Sequence, residues 1–170
     1  MYNYILVPLD GSKRAEAILP HVEELAKRYD AQVIFLQVVE SVPVPVGPEG
    51  TSGAVQQPEL ERQTEQAVSY LTGMQEEFRA RDIEARKCVY YGPVVQAIIN
   101  AAECECADLV AMASHGRSGL SQVFYGSVAV GVLHRIDRPL LLVRSRGSEL
   151  EIGDSRNSPS RILALPREGG

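Results

Sequence analysis

The chain lacks an excess of basic residues, lacks a cysteine framework and lacks a long apolar run. Each absence excludes a class of function. Acidic residues number 22 against 17 Lys plus Arg, a formal net charge of −5. Broad electrostatic binding to nucleic acid needs a basic face, so no nucleic-acid partner is expected, although a local basic pocket for phosphates stays open. No run approaches the roughly 20 apolar residues of a membrane helix, so no membrane partner is expected. The opening Met1-Tyr2-Asn3-Tyr4 puts no charged segment ahead of an apolar one, unlike a signal peptide. Cys88, Cys104 and Cys106 are too few for a disulfide framework, and Cys104 and Cys106 have C-x-C rather than redox C-x-x-C spacing. The expectation is three reduced, buried, inert thiols and a cytoplasmic address.

Two phosphate motifs are also missing. No G-x-x-x-x-G-K-[ST] occurs, and no G-x-G-x-x-G follows the first apolar run, which excludes a Walker loop and the usual dinucleotide fold. His21, His115 and His134 fall on separate elements without zinc spacing, so no metal site is expected beyond Mg²⁺ carried by a nucleotide. No Ser/His/Asp set is recognisable, and His115 beside Ser114 reads as loop geometry.

What is present is a regular alternation. The 170 residues, 45% hydrophobic and 23% charged, suit one domain with a sizeable core. Apolar runs at Tyr4 to Leu9, Gln32 to Val39, Ile83 to Tyr91, Asp108 to Ala113 and Leu140 to Val143 read as strands. Between them lie helical patterns: Ala15 to Ala26, Pro58 to Arg81, Val94 to Cys104, and Ser127 to about Asp137. Pro20 should kink the first helix or fall near its start. Residues 41 to 56 read as a long Pro/Gly/Ser-rich loop. Such β-α alternation implies a parallel sheet with helices on both faces, an α/β fold. Right-handed crossovers prune the topologies, and the commonest five-stranded solution has strand order 3-2-1-4-5. Ligands bind where the winding reverses, outside the carboxyl ends of strands one and four. The loops there are Asp10-Gly11-Ser12 and Ser114 to Gly119.

The second of these loops suits an anion. Gly116, Gly119 and Gly126 let backbone N–H groups approach oxygens, and Ser127 opens a helix, where N–H groups and the dipole attract negative charge. Arg117 adds a cation, and Ser118 a hydroxyl. The bland reading stands beside it: Ser127 caps its helix and the glycines make a turn. Asp10 has two readings as well, an acceptor for a ribose or adenine and an Asx turn. Lys13 and Arg14 read as solvent-exposed, and Gly131 inside the fourth helix reads as a point of close helix packing.

Taken together, the motifs resemble the universal stress protein family. Tyr4-Ile5-Leu6-Val7-Pro8-Leu9-Asp10-Gly11-Ser12 is similar to its opening. Met112-Ala113-Ser114-His115-Gly116-Arg117-Ser118-Gly119-Leu120, followed by Gly126-Ser127-Val128-Ala129, resembles its nucleotide loop. Arg138-Pro139-Leu140-Leu141-Leu142-Val143-Arg144 resembles its last strand. The resemblance implies a domain over residues 1 to 145 with an adenine nucleotide alpha hydrolase-like fold, leaving 146 to 170 as a C-terminal extension. It also implies a cytoplasmic homodimer paired through Leu140 to Val143 and, in one branch, bound ATP, AMP or ADP. That branch has G-x-x-G, nine residues, then G-[ST]; this chain matches at Gly116, Gly126 and Ser127 and departs at Ala113. Met112 to Gly119 and Gly126 to Val128 are the implied phosphate segments, while Pro8, Asp10 and Val38 answer to the adenine pocket. Two functions are implied: an ATP-binding stress-response module with at most slow hydrolysis, and a nucleotide-free interaction module if Ala113 spoils the loop. An ATP-consuming enzyme is disfavoured, since no HIGH-type motif or positioned base is present. The client protein is not legible.

Overall fold

The computed structural model describes residues 1–40, 57–114 and 126–144. Elements alternate along the chain: β1 (Tyr4–Leu9), a 3₁₀ turn (Ala15–Ile18), α1 (Leu19–Tyr29), β2 (Gln32–Val39), α2 (Gln57–Arg79), β3 (Ala85–Tyr91), α3 (Val94–Cys104), β4 (Leu109–Ala113), α4 (Ser127–Leu133) and β5 (Leu140–Val143). The five strands form one sheet in the order β3-β2-β1-β4-β5, all pairs parallel, as the alternation predicts. Pro20 lies in the first turn of α1, where its missing N–H has no intrahelical acceptor to lose.

Alternation of side chains sorts the core into two layers. Ile5, Val7, Val33 and Phe35 face one way and meet Ile18 and Val22 of the first connection and Leu71 and Phe78 of α2. Leu6, Ile34, Leu36, Val110 and Met112 face the other way and meet Ile98, Ala101 and Ala102 of α3 and Ala129 and Val132 of α4. The first two helices therefore cover one face and the last two the other. Phe35 and Phe78 meet edge to face at 5.0 Å between ring centres. Gln75 of α2 donates to the carbonyl of Ala85 at 2.7 Å, which satisfies its buried amide against β3.

Three helix-to-strand joints share one geometry. Asp30, Asp82 and Cys106 are left-handed, with φ of 53°, 59° and 53°. One residue later, Ala31, Ile83 and Ala107 donate N–H groups to Ala26, Phe78 and Ala102 at 3.0, 3.1 and 3.0 Å. This six-to-one bond closes each helix and turns the chain into the sheet. None of the three joints uses glycine, so the sequence carries no glycine signal for them.

Several expectations need correction. The third strand begins at Ala85 rather than Ile83, and Ala15 to Ile18 form a 3₁₀ turn ahead of α1, which runs on to Tyr29. The fourth helix ends at Leu133 rather than near Asp137. Its last turn is replaced by bonds from Arg135 and Ile136 to the carbonyl of Val132, which turn the chain toward β5. Cys104 and Cys106 are exposed rather than buried, because they sit at the solvent end of α3 and at its left-handed joint. Cys88 is half-buried in β3, and burial pushes its thiol up to about 12.

Candidate functional site

The site begins with a missing hydrogen bond. Asn3 accepts from Gln32 of β2 at 2.8 Å, and Tyr4 accepts from Asp108 beside β4 at 2.9 Å. Odd residues of β1 thus turn their backbone groups to β2 and even ones to β4. Pro8 is even and has no N–H. Pairing of β1 with β2 runs to Leu9–Gln37, but pairing of β1 with β4 stops at Leu6–Val110. Meanwhile β4 stays with β5 as far as Ala113–Val143. The sheet opens between the carboxyl ends of β1 and β4, at the reversal of winding.

A cavity of about 310 Å³ occupies this opening. Pro8, Asp10, Val38, Met112, Ala113, Ser114, Gly126, Ser127 and Val128 all line it, which brings together every sequence-predicted site residue that is described. His115, Gly116, Arg117, Ser118 and Gly119 lie outside the described residues, as do the 41 to 56 loop and the 146 to 170 extension. The structure adds Leu36 and Glu40 from the end of β2 and Val94 and Ile98 from α3. Leu36 and Glu40 follow from the switch-point argument once it is applied to β2. Val94 and Ile98 carry only the signal of an apolar helix face, which reads as core.

Asp10 makes the Asx turn that its position suggests. Its Oδ1 accepts from the Ser12 amide at 3.0 Å and from the Ser12 hydroxyl at 2.7 Å. Ser12 Oγ in turn accepts from the Ala15 amide at 3.2 Å, and Gly11 supplies the positive φ of 79° that the turn requires. This sets Asp10 as a fixed acidic wall. Across the crevice, buried Ser114 donates its amide to Val143 at 2.8 Å and accepts from Gly126 at 2.8 Å. Ala113 is buried in β4 and is not among the positive-φ residues. Its methyl therefore brings no backbone strain.

The described wall carries two carboxylates, Asp10 and Glu40, and no Lys, Arg or His. Lys13 is turned away, its side chain 91% exposed and paired with Glu16 at 2.6 Å. Behind the Asx loop, Tyr70 of α2 donates to the other Glu16 oxygen at 3.2 Å. Burial, then the charge of Glu16 and its hydrogen bond, then Asp10, all raise the Tyr70 pKa, so the phenol stays a proton donor. His21 and His134 are exposed and away from the cavity. Among the described residues no group of His, Cys, Asp or Glu is arranged to hold a metal, and no helix is long and apolar enough to cross a membrane.

Parallel strand order, helices on both faces and a cleft at the reversal define a doubly wound α/β domain. The sequence pattern of the universal stress protein family matches residues 1–144, and the chain belongs to that family. It is 28% identical over 159 residues to Universal stress protein MJ0577 of Methanocaldococcus jannaschii, covering 87% of this chain and 98% of that protein. The solved structure of MJ0577 superimposes with a TM-score of 0.76 at 27% identity, over 87% of this chain and 99% of the other. A universal stress protein solved in complex with cAMP has a TM-score of 0.60 at 20% identity, over 85% and 98% of the two chains. An Arabidopsis thaliana family member solved with AMP bound has a TM-score of 0.59 at 14% identity, over 86% and 94%.

Proposed function

We propose that this chain binds an adenine nucleotide in the crevice, foremost ATP with Mg²⁺ and also AMP or ADP, and serves as a regulatory stress-response module without fast turnover. The observation that carries this reading is the convergence of the ends of β1, β2 and β4 and the start of α4 on one cavity. Its volume of about 310 Å³ suits a base and ribose, at the lower end of small-molecule pockets. Leu36, Val38, Val94, Ile98 and Met112 offer an apolar wall to the base. Asp10 and Glu40 offer acceptors to hydroxyl or amino groups.

The phosphate end is assigned to Ser114, Ser127 and Val128, together with His115, Gly116, Arg117, Ser118 and Gly119. With two carboxylates and no base on the described wall, phosphate charge needs Arg117, backbone amides or a divalent cation to offset it. A bound Mg²⁺ would supply that charge through the nucleotide, and Ser127, which lines the cavity, would offer it a hydroxyl. The family members solved with cAMP and with AMP support an adenosine phosphate as the ligand class. Residues 1 to 145 carry this function and 146 to 170 form an extension. The protein acts in the cytoplasm as a homodimer joined through Leu140 to Val143.

The test is the nucleotide content of the purified protein, read by chromatography of a denatured extract, with calorimetric titration of Mg·ATP and AMP. Nucleotide in the extract, or saturable binding, supports the reading. An empty extract with no heat of binding transfers the chain to the interaction-module reading.

A further inference from the structure

Gly131 stands in the middle of α4, where glycine costs about 1 kcal/mol relative to alanine. In a helix of 7 residues that cost is large, and no positive φ requires it. The reason is space. A Cβ built on residue 131 would lie 2.7 Å from Val95 Cγ2, closer than real carbon atoms approach, and a tight 3.3 Å from Cγ1. Val95 does not swing aside at little cost, because a β-branched side chain in a helix keeps one χ1 rotamer. Nor is its backbone loose: it stands in the first turn of α3, two residues after Pro93.

The consequence reaches the cavity. Val94, next to Val95, lines it from α3, and Ser127, Val128 and Ala129 line it from α4. Ser127 and Gly131 are four residues apart and share a helix face. Residues 127 to 133 form one two-turn helix, so a shift at Gly131 is passed through the hydrogen-bonded turn to Ser127 and Val128.

We propose that Gly131 is a positioning residue: by having no side chain it lets α4 close on α3 and sets the spacing of the cavity wall that the two helices share. The readout rests on the nucleotide reading given above. Gly131→Ala, Val95→Ala and the double variant are compared with the wild type by thermal melting and by Mg·ATP titration well below each melting temperature. Gly131→Ala is expected to weaken binding about tenfold. The double variant removes both Val95 methyls, leaving its Cβ at an ordinary 3.6 Å, and should return to within about twofold, since residues in contact couple rather than add. Wild-type affinity in Gly131→Ala overturns the proposal, as does a double variant as weak as the single. If Gly131→Ala does not fold, the double variant decides by the same criterion. Wild-type protein that binds neither ATP nor AMP overturns the nucleotide reading and this inference with it. Wild-type binding with an unaffected Gly131→Ala overturns the inference alone.

Discussion

Gly126 donates its backbone N–H to the carbonyl of Ser114 at 2.8 Å, and this bond ties the start of α4 to the end of β4. The amide of Gly126 is thereby spent inside the protein. What Gly126 offers a ligand is an unobstructed approach, while donors come from Ser127 and beyond.

Replacing Gly126 by Val tests that role. The residue has φ −59° and ψ 150°, a conformation open to any L-residue, so the fold should survive by circular dichroism. The branched side chain would stand at the cavity wall, and Mg·ATP affinity should fall by more than about tenfold, or 1.4 kcal/mol. Unchanged affinity in calorimetry would remove Gly126 from the site.

Ala113→Gly restores the family's first glycine. Ala113 is buried at the end of β4, so the change should cost about 0.5–1 kcal/mol of stability through lost backbone restraint. Binding should be equal or tighter, because a methyl leaves the cavity wall. A large loss of affinity would show that this methyl contacts the ligand.

Acid should unfold the protein partly through Asp108. Its Oδ2 accepts from the amides of Asn3 at 2.5 Å and Tyr4 at 2.9 Å, and these bonds hold its pKa below the ordinary 3.8. A lowered folded pKa gives stability that is complete above the unfolded value and is lost as pH falls below 3.8 through the folded value. Asp108→Asn should therefore lower the melting temperature at neutral pH and shrink the drop seen below pH 3.8. Parallel melting curves for the two proteins across that range would refute the assignment.

Assembly follows from the sheet edge. β5 pairs with β4 alone among the described strands, and its residues Leu140 to Val143 are only half-buried. The opposite edge, β3, carries Arg86 and Lys87, charges that discourage strand addition, whereas β5 carries none. A homodimer through β5 is expected at micromolar concentration, and light scattering should find it retained in a chain ending at Ser145. A dimeric parent with a monomeric truncated form would place the interface in the extension, and a monomeric parent would refute the dimer.

Much of this protein is written locally. The bounds of β1, β2, α3 and β5 follow from apolar runs and helical spacing, because a strand buried on both faces needs an unbroken run and a half-buried helix needs a stripe. Alternation and crossover handedness narrow the strand order to a few, of which the commonest is the one observed. From that order, the pairing of the Asp10 and Ser114 loops at one crevice follows too. The particular partners were decided only in the folded chain. Asp10 alone allows an acceptor wall or an Asx turn, and only the fixed partner Ser12 at 2.7 Å shows the turn. Pro8 looks like any strand proline until the backbone parity of β1 shows that its missing N–H faces β4. Gly131 points to close helix packing in the sequence, but only the folded chain names the partner, with Val95 of α3 in the place of a side chain. Periodicity records which face of an element is apolar. It does not record which atom of a distant element will stand opposite, since that distance is set by the packing of the whole sheet and its two helical layers.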